Sequence, residues 1–140
     1  DDPDMSLDIY TRQCSIGITA KQLAVMAGTI AFGGSNPITC KHVFKPHLTP
    51  HIVSLMATVG FYENTGDWLF TTGLPAKSGV GGGIMGVIPG VVGIAAFAPP
   101  LDKAGNSVKA QNALKYITGK LGLNIFAPAG TRQPVKAAKV

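Results

Sequence analysis

Residues 78–101 read Ser78-Gly79-Val80-Gly81-Gly82-Gly83-Ile84-Met85-Gly86-Val87-Ile88-Pro89-Gly90-Val91-Val92-Gly93-Ile94-Ala95-Ala96-Phe97-Ala98-Pro99-Pro100-Leu101, without one charged side chain. A run of 24 uncharged residues is long enough to cross a bilayer as a helix. Its composition argues against that. It holds seven glycines and three prolines, and Pro89, in mid-run, would break a continuous helix. Ile88-Pro89-Gly90-Val91 instead fits a type II turn, with Pro at the second position and Gly at the third. The stretch therefore predicts a buried antiparallel hairpin with arms over about 81–88 and 91–98, and no membrane span.

Working outward, Trp68-Leu69-Phe70-Thr71-Thr72 has the aromatic and β-branched content of a strand. Strands are thus expected over about 67–72, 75–88 and 91–98. Three helices are expected around them. Thr19 caps one over about 20–32, with Leu23, Met26, Ala27 and Ile30 on one face and Gly33-Gly34 as its stop. Thr49 and Pro50 open a second over about 50–59, closed by Gly60. Asn106 or Ser107 caps a third over about 107–121, stopped by Gly122. Adjacent antiparallel strands with helices gathered to their sides predict an α+β layered domain over residues 1–128. Residues 129–140 read as a flexible tail.

The chain has 140 residues, 46% of them hydrophobic and 14% charged, and a net charge of +5. That length supports one core without a disulfide framework, and the composition excludes intrinsic disorder. The basic residues are scattered singly, with no stripe interleaved with aromatics, so nucleic-acid binding is not expected. The two cysteines, Cys14 and Cys40, read as reduced core residues. Asp1-Asp2-Pro3-Asp4 is the opposite of a positively charged leader, which favours a cytoplasmic location.

His42, His47 and His51 lie close in sequence, but Pro46 and Pro50 interrupt any helix that would align them on a metal, so they read as surface histidines. Gly79-Val80-Gly81-Gly82-Gly83 is not a phosphate loop, because Lys77-Ser78 precedes the glycines and a strand follows. Glycines on a strand allow close approach to the backbone. N–H groups around Gly79, Val80 and Gly81 then become candidates for stabilising an oxyanion. Lys77-Ser78-Gly79 on a strand is similar to the Lys-Thr/Ser-Gly element that lines the site of penicillin-binding proteins and β-lactamases.

Four segments carry a more specific resemblance: Asp8-Ile9-Tyr10-Thr11-Arg12-Gln13-Cys14-Ser15, Phe61-Tyr62-Glu63-Asn64-Thr65-Gly66-Asp67-Trp68, the stretch from Gly73 to Ile84, and the stretch from Pro99 to Val108. In order and spacing, over about residues 8–126, they resemble the serine-dependent glutaminases, of the β-lactamase-like fold group. The resemblance implies hydrolysis of L-glutamine to L-glutamate and ammonia, without metal or organic cofactor, by commonly dimeric or tetrameric enzymes. It implies that Tyr10 contacts the bound amino acid. It implies that the Tyr62 hydroxyl lies beside the nucleophilic serine and assists proton transfer. It also implies that the Val80 N–H contributes to the oxyanion hole, and that Lys77, Ser78 and Gly79 form pocket wall. A tyrosine hydroxyl ordinarily titrates near about pH 10, which suits it to donate a proton to a leaving amine.

The family's nucleophile and base form a Ser-x-x-Lys pair. Ser6, Ser15, Ser35, Ser54, Ser78 and Ser107 are not followed at the third place by lysine. In the family that pair lies upstream of the matched region, as do a further tyrosine, two asparagines and a glutamate. The chain thus resembles the C-terminal half of a glutaminase, inactive without the upstream half. The alternative is a catalytically incomplete binding module that retains the pocket wall.

Overall fold

The computed structural model describes residues 2–128; the expected tail over 129–140 lies outside them. Helix α1 spans Pro3–Cys14 and α2 spans Ala20–Ala31. Helix α3 spans Thr49–Val59, α4 spans Thr65–Thr72 and α5 spans Val108–Leu121. The strands are β1 (Ala76–Ser78), β2 (Gly83–Ile88) and β3 (Val92–Phe97). They form one antiparallel sheet in the order β1-β2-β3. The architecture is the expected α+β, and among the described residues no helix is long and apolar enough to cross a membrane.

The apolar run does fold back on itself. Gly90 has φ +70°, and the Val91 N–H donates to the Ile88 carbonyl at 3.0 Å, closing the turn between β2 and β3. Period-two alternation along β2 splits the core between the two faces of the sheet. Ile84 and Ile88 pack with Phe61, Trp68, Leu74, Leu114 and Leu123 on the face of α4 and α5. Val87 packs with Ala27, Ile30, Ala31 and Met56 on the face of α2 and α3. Helix α2 lies so close to β3 that a Cβ on Gly93 would sit 2.0 Å from the Gly28 nitrogen, so only glycine fits there.

The caps are mostly where the residues predict them. The Thr19 hydroxyl accepts from the Gln22 N–H at 3.2 Å, while the Gln22 side chain accepts from the Thr19 N–H at 2.8 Å. Ser107, rather than Asn106, caps α5 by accepting from the Ala110 N–H at 3.3 Å. Gly122 ends that helix with φ +60°. Thr49 is not a cap; it is the first residue of α3, and its hydroxyl donates to the Ile30 carbonyl at 3.4 Å.

Four expectations are corrected. The strand expected over 67–72 is helix α4. A strand would bury Trp68 and Phe70 together, yet Trp68 is buried and Phe70 is 88% exposed. Thr65, Trp68 and Thr72 face inward at helical spacing. The Trp68 ring stacks on Phe61 at 4.3 Å and 6°, and its indole N–H donates to the Leu74 carbonyl at 2.8 Å. The strand expected over 75–88 is two strands joined by a turn at 79–82, because Gly82 takes φ +95°. Helix α1 was not expected. Asp2 caps it, accepting from the Asp4 and Met5 N–H groups at 3.1 Å, with Pro3 in its first turn. Finally, Cys14 and Cys40 are free and exposed rather than in the core.

Candidate functional site

The β1–β2 connection is a tight turn. The Gly79 N–H donates to the Gly83 carbonyl at 3.0 Å, and the Gly82 N–H donates to the Gly79 carbonyl at 2.9 Å. The N–H groups of Val80 and Gly81 donate to no acceptor among the described residues. Gly79 is thereby removed from the expected donor set, since its N–H is spent on the turn. Two adjacent free N–H groups at the tip of a short, doubly bonded turn are suited to receive an anionic oxygen.

Tyr62 sits at the start of a single helical turn, Tyr62–Asn64, between α3 and α4. Its backbone is left-handed, with φ +50°, which is uncommon for an aromatic residue and costs about 1–2 kcal/mol. Thr65 holds it there: its hydroxyl accepts from the Phe61 N–H at 2.9 Å and donates to the Tyr62 carbonyl at 2.7 Å. This explains physically why a hydroxyl residue stands three places after the tyrosine. The side chain is partly exposed.

Gly105 brings Tyr62 and Val80 together. A Cβ built on Gly105 would lie 3.4 Å from the Val80 side chain and 3.7 Å from the Tyr62 ring. The Tyr62 ring edge and the Val80 side chain therefore both lie against Gly105. Lys77 approaches the same place, with its ammonium 4.7 Å from the Tyr62 ring centroid and hydrogen-bonded to the Ser78 carbonyl. Desolvation there lowers the Lys77 pKa. Ser78 is buried, and its hydroxyl donates to Asn106 Oδ1 at 2.5 Å. It is a bonded structural hydroxyl, not a free nucleophile.

Tyr10 lies on α1 and is 65% exposed. The Cys14 thiol, one helical turn on, raises its phenol pKa above the usual value; slight burial and the Tyr62 hydroxyl add smaller upward pushes. Tyr10 thus feels Tyr62 electrostatically, but no element of the described chain packs around it. Separately, a cavity of about 380 Å³ opens between the α1–α2 connection and the sheet, lined by Ile18, Leu23, Lys77, Ser78, Gly79 and Phe97 among others. Lys77, Ser78 and Gly79 line this cavity; Tyr10, Tyr62 and Val80 do not, so it does not gather the expected site residues. His42, His47 and His51 are exposed, and no group of metal-ligating side chains converges among the described residues.

Sequence reasoning missed the loop that backs the site. Asp102 accepts from the Ala104 N–H at 3.0 Å, the Asn106 N–H at 2.9 Å and the Gln111 side chain at 2.9 Å. These bonds, the Asn106 N–H first, hold its carboxyl below the usual range. Asn106 is fully buried behind Gly105. The sequence signal is Asp102-Lys103-Ala104-Gly105-Asn106, which has the residues of an Asx-type turn.

Comparison with known proteins identifies relatives of the chain. A family model described as Glutaminase matches residues 1–126. A glutaminase of Bacteroides fragilis is 68% identical over 126 residues, covering 90% of this chain and 39% of that protein. One from Parabacteroides distasonis is 69% identical over 126 residues, with the same coverage. The solved structure of the probable glutaminase ybaS superposes with a TM-score of 0.88 at 47% identity, over 91% of this chain and 41% of that one. The Bacillus subtilis glutaminase YbgJ, solved as a covalent complex with 5-oxo-L-norleucine, superposes with a TM-score of 0.84 at 31% identity, over 89% and 45%. These neighbours carry the β-lactamase-like fold. The chain spans 39% of the length of the curated relatives named here.

Proposed function

Since this chain belongs to the glutaminase family, we propose that it is the C-terminal part of a serine glutaminase, hydrolysing L-glutamine to L-glutamate and ammonia only together with an upstream half. In this reading, the lysine of an upstream Ser-x-x-Lys pair takes the proton of the serine hydroxyl as that oxygen attacks the side-chain amide carbonyl of glutamine. The Val80 N–H stabilises the resulting oxyanion. The Tyr62 hydroxyl passes a proton to the departing nitrogen, the C–N bond breaks, and ammonia leaves an acyl-serine. Water then cleaves that ester and frees glutamate. Tyr10 contacts the amino-acid part of the substrate, and Lys77, Ser78 and Gly79 form wall. No metal or organic cofactor takes part, and the complete enzyme is a cytoplasmic homo-oligomer.

The observation that carries this reading is that the Tyr62 ring and the Val80 side chain both lie against Gly105. The lack of any Ser-x-x-Lys in the 140 residues supports the need for a second half. The test is complementation. The chain alone should release no ammonia from glutamine; mixed with a separately produced upstream half bearing Ser-x-x-Lys, it should. Tyr62→Phe in that mixture should lower kcat by about 10²–10⁴ with little change in KM. Ammonia release by the chain alone would overturn the division of labour. A silent mixture of two folded halves would overturn the activity.

A second reading, a binding module that keeps the pocket wall, is favoured by the cavity of about 380 Å³ against Lys77, Ser78 and Gly79. Calorimetric binding of glutamine by the chain alone, abolished by filling the cavity at Leu23, would select it.

A further inference from the structure

We propose that Asn106 is a positioning residue that sets Tyr62 against the free N–H groups of the Val80 turn by bridging Ser78 to Phe61. The inference rests on the roles proposed above for Tyr62 and Val80, and it adds the part that holds them in register.

Tyr62 and Val80 stand on different pieces of chain. Tyr62 follows α3, and Val80 tops the β1–β2 turn. Val80 is exposed; its turn bonds to itself at Gly79, Gly82 and Gly83, and on the β2 side the Gly82 carbonyl accepts from the Ala98 N–H at 3.1 Å. On the β1 side the turn is anchored through the residue at its base, Ser78. Ser78 donates its backbone N–H to the Gly60 carbonyl at 3.0 Å and its hydroxyl to Asn106 Oδ1 at 2.5 Å. The hydroxyl also lies 3.3 Å from the Gly60 carbonyl, but it has one proton, and the shorter contact takes it. The other end of the same amide, Asn106 Nδ2, donates to the Phe61 carbonyl at 3.4 Å. Phe61 immediately precedes the left-handed Tyr62. One planar amide, with no solvent exposure, thus spans the two segments.

The amide is itself fixed. Asp102 accepts from the Asn106 N–H and donates its own N–H to the Asn106 carbonyl at 2.8 Å. Gly105, with φ +93°, turns the loop so that its bare Cα faces Val80 and Tyr62 while Asn106 points behind them. A buried amide that satisfies both strands of a site restricts their relative position, and displacement by about 1 Å can cost about 10²-fold in rate.

The test has two arms. In the 140-residue chain, labelled for NMR, Asn106→Ala should shift the Val80 and Gly81 amide resonances and the Tyr62 ring resonances. Those of Ile30 and Met56, across the sheet, should stay in place. In the complemented enzyme the same variant should lose roughly tenfold to a hundredfold in kcat, with KM changed less than about twofold. Unmoved Val80, Gly81 and Tyr62 signals, or shifts spread evenly over both faces of the sheet, would overturn the proposal. So would an equal rise in KM with kcat intact. If Asn106→Ala does not fold, Ser78→Ala, which keeps the buried amide and cuts only its link to β1, is read by the same signals and the same two outcomes. The resonance arm needs no turnover, so it can fail while the glutaminase reading stands. A wild-type mixture without turnover defeats that reading and leaves the resonance arm to decide.

Discussion

Helix α1 and the sheet that presents Val80 are held by different means. Every side chain of α1 faces solvent, and its stability comes from the Asp2 cap, Pro3 and the exposed Asp8–Arg12 pair at 2.8 Å. The sheet and the segments beside it are clamped by two buried clusters, a stacked Phe61–Trp68 pair and a satisfied amide at Asn106. Two of the three residues expected to act on substrate, Tyr62 and Val80, are therefore placed by contacts within the described chain. The third, Tyr10, is on a helix that the rest of the described chain barely touches. Isolated helices shorter than about 12–15 residues are marginal in water, and α1 has 12.

The contrast breaks first at the core. Trp68→Ala removes the stack on Phe61 and the indole bond to Leu74, and should cost about 3–5 kcal/mol in urea unfolding. Ile9→Ala on α1 should stay within about 0.5 kcal/mol. Equal losses would mean that α1 belongs to the cooperative core.

Next comes the cap. Asp2→Ala should weaken α1 by about 1 kcal/mol, seen as faster amide exchange over 5–14, while the unfolding midpoint of the whole chain stays fixed. A falling midpoint would show the two regions to be one unit.

How far the residues announced these regions follows the same division. The Thr19 and Ser107 caps and the Pro89-Gly90 turn were legible because each depends on a few neighbouring residues. Helix α4 was not. Its aromatic and β-branched residues favour a strand locally, and the burial of Trp68 on Phe61, seven places earlier, decides for a helix. The expected roles of Tyr10 and Tyr62 rest on resemblance to a family, whereas the glycines around Val80 mark its N–H as an oxyanion candidate by themselves. The residues that place two of them, Thr65 and Asn106, emerge only from contacts; the Asn106–Phe61 bond joins residues 45 apart in sequence. The left-handed Tyr62 and the turn at Gly82 have no local signal strong enough to find them.

A smaller effect concerns acid. Asp102, on the clamped side, has a folded-state pKa below its unfolded value, so its bonds stabilise the fold above the ordinary carboxylate range. That contribution should fade as pH falls through the unfolded value and then the lower folded one. Asp102→Asn should flatten this part of the stability profile, from the ordinary carboxylate range downward. An unchanged acid limb in Asp102→Asn would separate the loop from the clamp.

The smallest effect tests an electrostatic link between the two regions. The Tyr10 phenol is raised chiefly by Cys14, its neighbour on α1, and least by Tyr62. Cys14→Ala should therefore bring the Tyr10 titration, followed by phenolate absorbance against Tyr10→Phe, down toward its ordinary value. Tyr62→Phe should move it in the same direction by less, because it removes only the charge that forms across the gap between α1 and the clamped site. The ratio of the two shifts measures how near α1 stays to Tyr62 in solution. A Tyr62→Phe shift of zero beside a clear Cys14→Ala shift would mean that α1 swings free of the site. Comparable shifts would mean that Tyr10 is held against Tyr62 by this chain alone, and that the contrast between the two regions ends at that contact.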